Sequence, residues 1–203
     1  MKCICIIQAR TGSKRFPNKV LTPLKGIPIV KRVYDTCNSI FEDRTVVAIP
    51  HTNRKLAKYL TDNDIPVFKG HPTDVLDRYY QCARKYEATH IVRITGDCPV
   101  ISKAWLSYAE YMLCQNEDTG FISNCFPPRK IIDGNDVEIM SFKILSRLND
   151  VADKEDREHV TSLIYKSNWE LINHLDISPE LDLSHIKTSI DTKEDFKRVE
   201  EML

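Results

Sequence analysis

Apolar runs of strand length alternate with stretches of helical period through the first half of the chain. Cys3–Gln8 is almost continuously apolar, the pattern of a parallel strand covered on both faces. Pro28 opens a stretch in which Ile29, Val30, Val33, Tyr34, Cys37 and Ile40 recur on one helical face. Thr45–Ile49 predicts the next strand. Leu56, Ala57 and Leu60 follow Asn53, which is placed to cap their helix. Pro66–Phe68 predicts a short strand, and Thr73 or Asp74 then starts a helix bearing Val75, Leu76, Tyr79, Tyr80 and Ala83. His90–Thr95 predicts a fourth strand. A helix after Ser102 carries Trp105, Leu106, Ala109, Met112 and Leu113.

Alternation of this kind predicts an α/β domain with a mostly parallel sheet flanked by helices. The pattern then loosens: Phe121–Phe126, Asp136–Phe142, Glu170–Ile177 and Ile186–Ile190 read as strands separated by irregular loops and two helices. Thr192 and Asp195 form an Asp variant of the capping box. The helix they start runs to the C-terminus with Phe196, Val199 and Met202 facing inward. No low-complexity linker and no internal repeat divide the 203 residues, so one domain is expected, its less regular second half forming a specificity wall.

Composition narrows the function classes. Lys plus Arg equals Asp plus Glu at 29 each, which argues against a general nucleic-acid binder and leaves room for a local cationic pocket. No apolar run approaches the ~20 residues that span a bilayer. Met1–Ile7 is apolar but short and lacks a small-residue cleavage site, so neither signal peptide nor membrane anchor is expected. Seven scattered cysteines without a CxxC pair fit reduced thiols in the cytoplasm better than disulfides or a zinc site.

Candidate chemistry begins directly after the first strand, in the segment QARTGSKRFPNK from Gln8 to Lys19. Arg10, Lys14, Arg15 and Lys19 surround Gly12, Ser13 and Pro17 in a loop at the carboxyl end of a strand, where open α/β sheets bind ligands. Backbone N–H groups around Thr11–Ser13 with these cations favour phosphate binding over a merely solvated basic loop. The spacing is neither GxxxxGK[ST] nor GxGxxG.

Asp97, in RITGDCP, ends the fourth strand on the same rim. One carboxylate there suits Mg²⁺ and equally suits a turn that caps the next segment. Asp191 offers a second carboxylate, or serves the helix that follows it. Arg78 sits one turn inside a helix, placed to read a base or ribose or to pair with Asp74 at i−4. Asp136 and Glu138 alternate toward one face of their strand, and Arg157 and His159 lie near a helix start where an anionic acceptor would dock. No His/Asp/Ser arrangement or HExxH supports hydrolysis.

IIQARTGSKRFPNK, DVLDRYY (Asp74–Tyr80), RITGDCP, DGNDVE, REHVT and SIDTKEDF, in that order, resemble the cytidylyltransferase family. The branch they resemble is the spore coat polysaccharide biosynthesis type, related to CMP-Kdo and CMP-sialic acid synthetases. The resemblance implies a nucleotide-diphospho-sugar transferase fold and Mg²⁺-dependent transfer of CMP from CTP to a small acidic acceptor, in a homodimer. It implies a nucleotide-binding half, 1–115, and an acceptor-binding and dimerisation half, 116–203. Arg10, Ser13, Arg15 and Lys19 match the triphosphate loop, with Ala9, Thr11, Gly12, Asp74 and Arg78 beside the nucleotide. Asp97 and Asp191 match the metal carboxylates. Lys19, Arg10 and Arg15 would stabilise the leaving pyrophosphate. Asp136, Glu138, Arg157 and His159 fall on the acceptor side. Where sialic acid synthetases carry two aspartates separated by one residue, this chain has Ser189 before Asp191, the Kdo-like pattern. Base choice stays open at this level, as does a catalytically inactive nucleotide-binding module.

Overall fold

The structure, a computed structural model, describes residues 1–166 and 172–203. Its sheet has seven strands: β1 (Cys3–Gln8), β4 (Thr45–Pro50), β5 (Val67–Gly70), β6 (His90–Thr95), β7 (Phe121–Ser123), β8 (Glu138–Ser141) and β9 (His174–Asp176). Their order is β5-β4-β1-β6-β8-β7-β9. β5, β4, β1 and β6 are mutually parallel, β8 runs antiparallel to β6 and β7, and β9 rejoins β7 in parallel. The mixed, mostly parallel architecture expected from the alternation is therefore the one found. A small hairpin, β2 (Pro23–Leu24) with β3 (Ile27–Pro28), lies outside this sheet. Its two-residue turn places both Lys25 and Gly26 at positive φ, the backbone of a type I′ connection.

Helices cover both faces. On one, α1 (Ile29–Phe41), α2 (Arg54–Asp62) and α4 (Lys103–Gln115) bury Val33, Leu56, Leu60, Leu106 and Leu113 against Cys3, Cys5 and Ile7 of β1. On the other, α3 (Val75–Lys85), α5 (Phe142–Val151) and the short α6 (Ser162–Lys166) pack Leu76, Tyr79, Leu145 and Ile164 against Ile4, Ile6 and Ile91. The alternation of β1 thus feeds two cores, with both cysteines buried as small apolar groups. Asn53 caps α2 and Asp74 caps α3, each through its side chain.

A third, smaller cluster joins Phe16, Leu24 and Ile29 to Ile190 and Val199, with Phe196 packed beside them. Phe16 meets Phe196 edge-on at 6.0 Å, so the last helix, α7 (Lys193–Met202), anchors the loop after β1. The capping box at Thr192 and Asp195 forms as expected. Met202 does not turn inward; it is 54% exposed at the frayed end of α7.

Four of the expected strands differ in the structure. β7 stops at Ser123, because the Asn124 side chain takes the Val137 N–H and donates to Asn135 O. For the same reason β8 starts only at Glu138, and Asp136 lies before the strand rather than in it. Ile186–Ile190 forms no strand. Its N–H groups go instead to Leu183, Asp133 and Asp97, so the segment ties loops together around the sheet rim. Only β9 occupies the predicted Glu170–Ile177 stretch, whose first two residues lie outside the described ones.

Candidate functional site

The loop after β1 is shaped by its own backbone. Asn18 takes a left-handed conformation (φ 61°) and gives its N–H to Thr11 O at 3.0 Å, which closes the loop. Thr11 also donates to the Asn53 side chain at 3.0 Å, linking the loop to the cap of α2. The reversal at Asn18 sends Lys19 inward, where it is 8% exposed.

Lys19 Nζ has three acceptors: Asp97 Oδ2 at 2.7 Å, Ile190 O at 2.7 Å and Asp191 Oδ1 at 3.1 Å. An ammonium has three N–H groups, so all are used. The two carboxylates that sequence reasoning proposed as a pair therefore do converge, around a cation the chain itself supplies. Arg15 reaches Asp191 Oδ1 at 3.1 Å, and Lys187 reaches Asp191 Oδ2 at 3.3 Å. Burial alone would raise the Asp191 pKa, but hydrogen bonds and charge from Lys19 and Lys187 outweigh it and hold the group below the usual carboxylate range.

Asp97 is positioned by Gly96. A Cβ there would stand 2.8 Å from Gln8 O, so only glycine lets this turn lie against the end of β1. The Gly96 N–H donates to that same oxygen at 2.8 Å. Asp195 secures Asp191 from behind: it accepts from the N–H groups of Asp191 and Thr192 and from Lys187 and Arg198. Burial would push the Asp195 carboxyl up; Arg198 and the other donors hold it well below its usual range. Asp195→Ala is expected to lower stability by about 2 kcal/mol, the loss of a helix cap plus charged hydrogen bonds, read by urea unfolding at neutral pH. Because the folded pKa is depressed, this contribution is present above the ordinary carboxylate range and disappears as pH falls through the lower, folded-state value.

A cavity of about 700 Å³ opens at the carboxyl ends of β1 and β6. Of the residues proposed from sequence, Ala9, Arg10, Gly12, Ser13, Arg15, Lys19, Arg78, Asp97, Asp136, His159 and Asp191 line it. Thr11, Asp74, Glu138 and Arg157 stand behind this lining. Asp74 and Arg157 pair with each other at 2.5 Å, and Arg157 also binds Asn149, so both act as supports.

Arg78 does not pair with Asp74. It is 1% exposed and donates through Nε and Nη2 to the carbonyls of His71 and Pro72, with no carboxylate among its hydrogen-bond partners in the described residues. Burial draws its pKa down, as for any cation taken from water. Gly70 makes room for it, since a Cβ there would approach Arg78 Cγ to 2.8 Å and Phe68 Cε1 to 2.9 Å. Gly70→Ala is expected to lower stability by about 1–3 kcal/mol through overpacking against Arg78 and Phe68, measured by urea unfolding.

Asp136 binds Arg129 through both oxygens, at 2.5 and 3.1 Å. Glu138, 2% exposed, turns instead toward Arg93 and Tyr165. The two acids thus do not share a face, because the strand that would have aligned them begins at Glu138. Arg10 reaches Glu158 at 2.9 Å across the cavity mouth. Lys14 and Ser189, both noted in the sequence, also line the cavity, as do Gln8, Arg93, Thr95, Asp133 and Glu158, which were not singled out from sequence. Arg93 had a legible signal: it is a lone cation inside the apolar strand His90–Thr95.

Comparison with known proteins gives these shapes a context. The family described as cytidylyltransferase matches residues 4–202. An uncharacterised protein of Methanocaldococcus jannaschii is 36% identical over 203 residues, covering 97% of this chain and 81% of that protein. The spore coat polysaccharide biosynthesis protein SpsF of Bacillus subtilis is 28% identical, covering 96% of this chain and 83% of that protein. A solved cytidylyltransferase from Leptospira borgpetersenii superposes with a TM-score of 0.92 at 30% identity, covering 98% of this chain and 85% of that one.

Proposed function

Because the chain belongs to the cytidylyltransferase family, and so is a nucleotidyltransferase, we propose that it transfers CMP from CTP to a small acidic acceptor, a sugar acid or phosphorylated sugar or polyol, and releases pyrophosphate. The observation that carries this reading is the convergence of Asp97 and Asp191 on Lys19 Nζ at the rim of a cavity walled by the Arg10–Lys19 loop. An oxygen of the acceptor attacks the α-phosphorus and gives its proton to solvent. The bond from α-phosphorus to the bridging oxygen breaks, and pyrophosphate leaves with that electron pair.

Roles follow from position. Ala9, Thr11, Gly12 and Ser13 hold the phosphates through the loop backbone and the Ser13 hydroxyl, while Arg10, Arg15 and Lys19 neutralise charge growing on the leaving group. Arg78 is suited to the base, because a buried cation paired only with carbonyls favours an electronegative ring substituent or oxygen. Mg²⁺ fits the donor set: two carboxylates already gather at one cation position, and that ion takes one or two carboxylates with phosphate oxygens completing its shell. Bound there, it would polarise phosphoryl oxygens.

Asp136 and His159 are placed on the acceptor side of the cavity, with Glu138 and Arg157 acting through the residues they hold. The halves 1–115 and 116–203 then divide nucleotide from acceptor, save that Asp191 of the second half serves the phosphates. A product destined for surface polysaccharide, a cytoplasmic location and a homodimer complete the proposal, and these rest on the family likeness. Sedimentation equilibrium reads the dimer.

The decisive experiment is pyrophosphate release with CTP, Mg²⁺ and a panel of small acidic metabolites. Turnover with CTP and one acid is the expected result; release with GTP but not CTP overturns the cytidylyl assignment.

A further inference from the structure

Arg93 is a largely buried cation in the cavity wall that the nucleotide chemistry leaves unused. It projects from β6 on the α3 side of the sheet, opposite Glu138 of β8 in the antiparallel register. Its side chain is 14% exposed and lines the cavity. Nη1 donates to Glu138 Oε2, and the other Glu138 oxygen accepts from Tyr165 at 2.6 Å. Tyr165 is held in turn by Ser123 at 2.9 Å and packs edge-on against Phe121 and Phe126. The guanidinium is therefore fixed from one side by a buried acid that is itself braced.

The opposite edge has no hydrogen-bond partner among the described residues. Nε is buried without a hydrogen-bond partner, and no acceptor for Nη2 occurs among the described residues. These two nitrogens form the side edge of the guanidinium fork, the edge that binds carboxylate or phosphate in two parallel hydrogen bonds. Leaving such donors without acceptors is costly in a folded protein and marks a place where a partner is expected from outside. A charge paired this firmly also adds little long-range pull on CTP, whose phosphates have the Lys19 cluster.

We propose that Arg93 is a specificity-determining residue for the acceptor: its Nε–Nη2 edge receives the acceptor's acidic group, and Glu138 with Tyr165 are the positioning residues that aim it. The assignment rests on reading the cavity as a nucleotidyl-transfer site. It accounts for a buried Glu138 on the acceptor side that itself touches no cavity, and it makes a carboxylate or phosphate, rather than a neutral hydroxyl cluster, the feature by which acceptors are chosen.

The test titrates the CTP-loaded protein with D-glycerate, glycerol 1-phosphate and glycerol, following the Arg93 Nε–H resonance by NMR and affinity by calorimetry. The two acids are expected to bind and shift that resonance, and glycerol is not; the stronger of the two identifies carboxylate or phosphate. In Arg93→Met, acid binding falls at least tenfold while CTP affinity changes less than twofold. Arg93→Lys, which keeps charge but not the fork, recovers only part. Should Arg93→Met fold poorly with Glu138 unpaired, Arg93→Met with Glu138→Gln removes both charges and gives the same reading. Acid binding unchanged in these variants, or absent in the unsubstituted protein, overturns the proposal. Failure of CTP to bind overturns the nucleotidyl reading instead, and acid titration of the free protein still reports on Arg93.

Discussion

Asp97→Ala is expected to lower kcat by roughly a thousandfold or more, with CTP-dependent pyrophosphate release as the readout. The substitution takes one of two carboxylates from the cation position, while the link from Ile190 N–H to Asp97 runs through the backbone oxygen and survives. Asp97→Asn separates charge from shape. It keeps a polar group at the same place and is expected to lose nearly as much activity, with a circular-dichroism spectrum like that of the unsubstituted protein. Activity within tenfold of the original in either variant would remove Asp97 from the reaction.

Lys19→Met is the second large effect, and it has two parts. Turnover is expected to fall by roughly a hundredfold to a thousandfold, because a positive charge is lost where pyrophosphate develops its own. Stability is expected to fall by about 2 kcal/mol, since two partly buried carboxylates lose the ammonium between them; their exposure keeps this below the cost for a fully buried pair. A further consequence distinguishes Lys19 from an ordinary phosphate ligand. With its three N–H groups given to Asp97, Asp191 and Ile190, Lys19 fills the position a divalent ion would take in the nucleotide-free protein. The variant is therefore expected to bind Mn²⁺ without nucleotide, seen by electron paramagnetic resonance, whereas the unsubstituted protein needs CTP to do so. Equal Mn²⁺ binding by both would rule out this competition.

Much of the architecture was readable because the first half obeys simple periods. Continuous apolar runs gave β1, β4 and β6, and Asn53 and Asp74 cap the helices they precede. The second half was less legible for a physical reason: its backbone partners are side chains and loops rather than neighbouring strands. Asn124 replaces ladder bonds beside β8, and the 186–190 segment spends its N–H groups on Asp133 and Asp97. Alternating residues look the same whether a strand or such a tie uses them. The cationic loop and Asp97 stood out as charges at strand ends against apolar runs, and the family resemblance joined Asp191 to them. Their mutual neutralisation through Lys19 was not, because it depends on the left-handed turn at Asn18 and on contacts across the whole chain. Glu138 and Arg157 were singled out on the acceptor side, but their partners, Arg93 and Tyr165 for the one and Asp74 and Asn149 for the other, could be seen only in the structure.

The three-way contact of Lys19 also dates the appearance of the site in the life of a molecule. Lys19 lies 78 residues from Asp97 and 172 from Asp191. A chain still on the ribosome, synthesised as far as α6, has its first four parallel strands and the basic loop but neither Asp191 nor the α7 helix that holds Phe16. Closing so long a span comes late in folding. A chain that stops short of Asp191 is thereby left without the second of the two carboxylates that meet at Lys19.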